Sequence, residues 1–396
     1  PSVGLSWVPT SLWKMGDALT YLKFRGSIAS VGLPFPHFLT CVTYDYDATN
    51  KTWKDKTHYP IGDLKPERTR TYEVGVDMRL WQKLSLSASW YWADTYNQTL
   101  DPKLPPSSSY TTIYLQTGRV RNIGVEAVLG YNNEWRNFGW SSNFTFSWNK
   151  NEIIDLASGA LNPITGAPLN LTELEIKGLG KAKYILKQGG SMGDLYTTSN
   201  VQYNDNGYTE VDKSGNLVLT DEGDEIYLGS VFPKYNLAWR NDFRYKGLNL
   251  GVLFTARIGG ICYSATQANM DLYGVSEVSA AARDVGGVMI NDREMVDPQK
   301  WFQAIGSQSG LPQYYTYSAT NLRLQELSLG YTLPRKWFRN KMGLTVSFVG
   351  RNLWMIYCKA PFDPEAVAST GLSYQGIDYF MMPSLRSLGF NVKFEF

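Results

Sequence analysis

The closing stretch LRSLGFNVKFEF alternates strictly. Leu388, Phe390, Val392, Phe394 and Phe396 share one face, and Ser387, Gly389, Asn391, Lys393 and Glu395 share the other. Such period-2 alternation predicts a β-strand, because successive strand side chains point to opposite faces. The signal recurs along the chain. It opens with Val3, Leu5 and Trp7, then Leu22, Phe24 and Ile28. Further runs cover Tyr72–Leu80, Leu84–Trp92, Val125–Tyr131, Phe138–Trp148, Tyr235–Tyr245, Leu248–Ala256, Leu327–Leu333 and Met342–Phe348. Leu322 and Leu324 fall out of phase with Leu327, Leu329 and Tyr331, which predicts a bulge near Gln325-Glu326. Lys181–Gln188 and Asp194–Tyr203 alternate more weakly and are assigned as strands to keep chain direction alternating, for a total of about thirteen.

Several runs span about ten residues, the length a tilted strand needs to cross a bilayer, against ~5–6 in a soluble sandwich. Their apolar faces carry almost no charge, and Asn241 is the main polar intruder. Trp90, Trp92, Trp140, Trp148, Tyr235 and Tyr245 crowd the strand ends, where a lipid interface favours amphipathic rings. Connections alternate between short and long. Met15-Gly16, Gln82, Asn132–Asn137, Gly189-Gly190, Lys246-Gly247 and Pro334–Lys341 make short turns. Ser30–Arg70, Thr95–Thr117, Asn151–Gly180, Asn204–Lys234, Ile258–Asn321 and Leu353–Ser384 are long. The expected fold is all-β: an antiparallel transmembrane β-barrel segment with long extracellular loops and short periplasmic turns.

Composition sharpens this. Aromatics make up 14% of the 396 residues, yet mean hydropathy is −0.28. No apolar run reaches the ~20 residues of a transmembrane helix, and a barrel needs none because only alternate residues meet lipid. The net charge of +2 gives no field directed at nucleic acid. Cys41, Cys262 and Cys358 lack metal-ligand spacing, and one disulfide or free thiols both remain open. Pro1 leads straight into an alternating run, so a longer protein is expected to precede it.

Candidate chemistry is sparse. His37 and His58 share the first long loop without evident partners, and no G-x-S-x-G, P-loop or C-x-x-C pattern occurs. Asp221, Glu222, Asp224 and Glu225 lack the order of a Ca²⁺ loop and read as a solvated hairpin tip. Gly259-Gly260 and Gly286-Gly287 read as loop flexibility. No catalytic residue, cofactor or metal is assigned. Loop aromatics are the candidate substrate contacts: Trp53, Tyr59, Tyr314, Tyr315, Tyr317, Tyr374 and Tyr379. Flat rings stack on sugars or clamp peptides with little entropy loss, and equally pack loops together.

Specific motifs narrow the reading. Leu64-Lys65-Pro66-Glu67 with Thr69, then Tyr72-Glu73-Val74-Gly75, resembles the LKPE-x-T…YE-x-G segment of SusC/RagA-type TonB-dependent transporters. Gly118, Asn122 and Gly124-Val125-Glu126, then Gly229 with Pro233, are similar to further elements of that family. So are Leu322-Arg323-Leu324, Leu327–Pro334, Gly350–Leu353, Phe362–Glu365 and Pro383. The resemblance covers nearly the whole chain. It implies a 22-stranded barrel in a Bacteroidota outer membrane, an N-terminal plug, a SusD-like lipoprotein lid, and import of glycans or peptides powered through TonB. It also implies that residues 1–396 are the C-terminal part of the barrel, the plug and first strands lying outside them. The competing expectation is a soluble all-β carbohydrate-binding or adhesin domain.

Overall fold

The computed structural model describes residues 1–35, 44–54, 58–59, 64–100, 110, 112–116, 118–156, 171–220, 225–307, 309–371 and 374–395. Among them, eleven strands form one large antiparallel sheet. These are β1 (Ser2–Trp7), β2 (Leu19–Leu33), β3 (Glu67–Leu80), β4 (Leu84–Tyr96), β5 (Arg119–Trp135) and β6 (Phe138–Asp155). They continue as β7 (Tyr235–Tyr245), β8 (Leu248–Ile258), β9 (Asn321–Leu333), β10 (Gly343–Cys358) and β11 (Ser387–Glu395). Each strand pairs with the next in sequence, and β1 and β11 form the two edges. Short connections at 8–18, 81–83, 136–137, 246–247 and 334–342 share one rim, and longer ones at 34–66, 97–118, 156–234, 259–320 and 359–386 share the other. The two-residue turn at Lys246-Gly247 places both residues at positive φ, 47° and 91°. A hairpin that follows the strand twist requires this geometry, and glycine reaches it without strain.

Register converts alternation within strands into rows across the sheet. Trp7, Phe24, Val76, Ala88, Ala127, Phe146, Leu237, Ala256, Leu322 and Tyr357 stand opposite one another in turn. No polar side chain interrupts that row. Rows of the other face hold ion pairs instead: Arg240 meets Asp242 at 2.9 Å and Glu326 at 3.2 Å, and Arg351 meets Glu326 at 3.0 Å. Trp148 and Tyr235 are direct partners near the long-loop rim, and Tyr245 lies at the opposite end of β7. Ten residues at ~3.3 Å each, tilted by ~40°, set these rings about 25 Å apart along a membrane normal, the height of a barrel's apolar band. Asn241 is 5% exposed, and its side-chain oxygen accepts a 3.1 Å bond from Trp140 Nε1. Ser142, its cross-strand partner, accepts one of 2.9 Å from Trp239 Nε1. Two indole donors on the apolar face are thus satisfied within the sheet.

The expected bulge is present. Leu324 pairs with Phe254 and Trp354, Glu326 pairs with Leu253 and Arg351, and Gln325 is left over. The final strand pairs with Gly343–Arg351; Phe396 lies outside the described residues.

Two assignments need correction. Lys181–Gln188 and Asp194–Tyr203 are not wall strands. Strands at Ala182–Lys187 and Asp194–Thr197 join Glu173–Leu179 and Ile226–Ser230 in a separate four-stranded sheet. The first two are six and four residues long and mostly buried, too short to span lipid and covered on both faces. The Gly189-Gly190 turn therefore lies inside a single excursion, 156–234, instead of separating two long loops. Removing two strands preserves chain direction, so the alternation of rims survives.

The long connections are themselves folded. They carry α1 (Ala265–Leu272), α2 (Glu277–Val285) and α3 (Pro298–Gly306), and the main hydrophobic core lies among them. Tyr184, Leu186, Leu195, Leu311 and Ile377 are almost completely buried there.

Candidate functional site

This loop layer is fastened to the polar face of the wall. Val120 and Ile153 belong to that face and enter the loop core. The Ile153 N–H donates to the Gly190 carbonyl, and the Gly189 N–H donates back, both at 2.8 Å. Asn151 Oδ1 accepts from the Met192 N–H at 2.8 Å and the Ser191 hydroxyl at 3.2 Å. Among the described residues the layer therefore packs on the face that would line a barrel lumen. A buried clamp secures the last loop. Arg323 forms a bidentate pair with Asp363, its Nε donates to Asn321 Oδ1 at 3.1 Å, and the Ser384 hydroxyl also donates to Asp363. Burial of Asp363 is outweighed by these donors, so its pKa falls below the usual carboxylate value.

Local sequence explains the helices. Ser264 caps α1 by accepting from the Gln267 N–H at 3.0 Å, and its hydroxyl donates to Asp378 at 2.7 Å. Ser276 caps α2, which ends on Gly286 at φ 86°. Asp297 caps α3 ahead of Pro298. Side-chain acceptors at the N-cap, proline at the first helical position and glycine just past the end suit those backbone geometries.

A polar groove of about 570 Å³ opens between residues 204–211 and 291–294. Asn291 bridges to the opposite backbone, its Oδ1 accepting from the Thr209 N–H at 2.8 Å and its Nδ2 donating to the Thr209 carbonyl at 3.0 Å. Arg293 donates to the Tyr208 hydroxyl at 2.8 Å and lies over that ring at 5.1 Å. Glu210 and Glu294 complete the lining. The volume falls in the ~300–1,000 Å³ range of small-ligand sites, and the lining supplies donors, acceptors and one aromatic face. Sequence reading missed these residues; Asn204–Gly207 and Asn291-Asp292 are turn signals that mark both flanks.

The aromatic candidates are dispersed. Trp53 is exposed on a short hairpin and packs against Tyr46 at 5.0 Å. Tyr59 stands edge-on to Tyr110 at 5.2 Å. Tyr314 is 42% exposed and meets Trp301 edge-on, whereas Tyr315 is 2% exposed within the loop core. Burial, then the Asp271 carboxylate, pushes the Tyr315 phenol far up. A side chain so enclosed packs the layer together and offers no face to a ligand. Tyr317 packs edge-on against Phe362, while Tyr374 and Tyr379 are partly exposed near Ile377-Asp378.

Cys262 and Cys358 are free thiols, and burial holds the Cys262 thiol at a pKa of about 12, far from thiolate reactivity. Cys41, His37, Asp221, Glu222 and Asp224 lie outside the described residues, and Glu225 pairs with Lys187. His58 is in a two-residue strand paired with Thr112-Ile113. Gly286, expected to confer flexibility, instead terminates α2.

The sequence matches the family model described as TonB dependent receptor-like, beta-barrel over residues 1–252. TonB-dependent receptor P3 of Formosa agariphila is 26% identical over 434 residues, covering 100% of this chain and 42% of that protein. TonB-dependent receptor SusC of Bacteroides thetaiotaomicron is 21% identical over 349 residues, covering 84% of this chain and 32% of that protein. The fold is similar to a chain of the RagAB peptide importer in its closed-closed state. The TM-score is 0.72 at 19% identity, over 99% of this chain and 42% of that one. The chain thus spans less than half the length of these relatives.

Proposed function

The chain belongs to the TonB dependent receptor-like β-barrel family, and on that premise we propose that it supplies wall and extracellular loop layer to an outer-membrane importer of a glycan or peptide nutrient. One observation carries the reading: an in-register apolar belt about 25 Å high backs onto a charged face that is roofed by folded loops. Lipid would cover the first face and the transport path would run along the second. The Tyr208–Arg293 groove, with Tyr314, Tyr374 and Tyr379 on the same layer, is the proposed place of substrate capture. A SusD-like lipoprotein would close over the loops. TonB and a plug would act through the portion of the longer relatives that this chain does not span, in the outer membrane of a Bacteroidota cell. The chain itself performs no chemistry.

The test uses the intact transporter. Tyr208→Ala and Arg293→Ala should each weaken binding of the transported oligosaccharide or peptide about tenfold, near 1.4 kcal/mol. Affinities unchanged in both variants would remove the groove from the substrate path. Full solubility of the intact protein in water without detergent would remove the membrane reading altogether.

A further inference from the structure

We infer that the upper outward rim of β3–β5 binds the phosphate group of an outer-leaflet glycolipid. The apolar face can be followed upward, two residues at a time, because steps of two return to the same face. One row holds Val74, Trp90, Val125 and Trp148, and the next holds Tyr72, Trp92 and Ile123. Above them the chemistry changes abruptly. Arg70, Asp94 and Arg121 stand opposite one another, then Arg68 and Tyr96, with Arg119 two residues beyond Arg121.

Four guanidiniums therefore share this patch with few counter-charges. Asp94 is the carboxylate at close range, 2.8 Å from Arg121 Nε and 3.4 Å from Arg119 Nε. Asp155 is the strand partner of Arg119, and the neighbouring Lys150 and Glu152 neutralise each other at 2.8 Å. Among the described residues Arg68 and Arg70 are exposed and neither forms an ion pair. Aromatic rings hold the cations in place: Arg121 lies 4.1 Å over Trp92 and Arg70 lies 5.5 Å over Tyr96.

Depth identifies the ligand. Arg70 and Arg68 stand two and four residues above Tyr72, which at ~3.3 Å per residue and a ~40° tilt is a rise of about 5 and 10 Å. The polar layer on one side of a bilayer is about 5–8 Å thick. Arg70 sits at headgroup level with Arg68 just beyond it, and Trp90, Trp92 and Val74 directly below offer an apolar wall for acyl chains. Guanidinium forks suit phosphate oxygens geometrically as well as electrostatically. Among the described residues the loop layer packs on the opposite face through Val120 and Ile153, and Arg68 and Arg70 stay exposed. A lipid satisfies both halves of this surface at once; a free phosphate would use only the upper half.

The inference rests on the reading of the apolar face as lipid-facing, and heat-modifiable gel mobility of the barrel reports on that reading separately. The intact transporter, purified in mild detergent, would be loaded with lipid A, with lipid A stripped of its phosphates, or with inorganic phosphate, and retained ligand counted by native mass spectrometry. Arg68→Ala/Arg70→Ala should cut retention of phosphorylated lipid about tenfold, and Arg68→Lys/Arg70→Lys should restore most of it. Dephosphorylated lipid should bind weakly to every variant. Equal retention by the alanine variant, or by dephosphorylated lipid, overturns the site. Displacement of lipid A by excess inorganic phosphate assigns the patch to a soluble anion and overturns the lipid. Arg70→Ala alone keeps the question open to measurement if the double variant fails to assemble.

Discussion

Asn241 marks the apolar face as a place where polar atoms must find partners inside the sheet. Its oxygen takes the Trp140 indole N–H, and the neighbouring Ser142 takes that of Trp239. In hydrocarbon, no water would replace either acceptor. Asn241→Leu should destabilise the assembled barrel by about 1–2 kcal/mol in denaturant titrations, and combining it with Trp140→Phe should recover part of that loss, since no donor is then left unpaired. The Arg323–Asp363 clamp follows a different rule. Both side chains are largely enclosed, so removing one strands the other charge, and Arg323→Met should cost about 3–5 kcal/mol. Because the folded state depresses the Asp363 pKa, its contribution is complete above the unfolded value of about 3.9 and fades as pH falls through the lower folded value. The stability gap between the protein and Asp363→Asn should therefore be widest near neutrality and shrink below pH ~4.

At the scale of elements, one unpaired residue reconciles the two phases of a strand. Gln325 is left out of the pairing of β9, which keeps Arg323 on the polar face with its clamp. Deleting Gln325 should leave Leu324 and Glu326 successive in the register they already hold, so Arg323 keeps its polar face and a pulse-chase of outer-membrane assembly should show the heat-modifiable form retained. This bulge was legible because Leu322 and Leu324 break the alternation of Leu327–Leu333. The loop helices were missed although their signals were present: Ser276 before Glu277–Val285, Gly286 after it, and Asp297-Pro298. Short helices carry weak periodicity, and their burial depends on neighbours distant in sequence. A Cβ added at Gly286 would meet nothing within 4 Å, so Gly286→Ala tests backbone conformation alone. It should lower amide protection across 277–285 by about 1 kcal/mol in hydrogen exchange, with Ser276→Ala similar.

The whole molecule separates two kinds of stability. The wall is one sheet thick, and its apolar residues stay exposed: Phe390 is 81% and Leu388 61% accessible. On the proposed membrane reading, lipid supplies what a second layer supplies in a soluble domain. Phe144, midway down the belt, should tolerate lysine poorly, at about 2–4 kcal/mol, while Asn143→Lys on the polar face should be nearly neutral. The loop layer, by contrast, buries a conventional core around Tyr184, Leu195 and Ile377.

Alternation by itself determined the strands, their faces, the two rims and the bulge, because a period of two is written residue by residue. Family motifs spread over nearly the whole chain pointed to the same architecture. Tertiary structure alone decided that Ala182–Lys187 and Asp194–Thr197 leave the wall, that the long connections share one core, and that Tyr315 is sealed inside it. The same holds for the meeting of Tyr208 with Arg293, 85 residues apart, and of Arg70 with Asp94 and Arg121. Local pattern encodes which face a side chain takes. Which distant residues share that face depends on register, and register exists only once strands have paired.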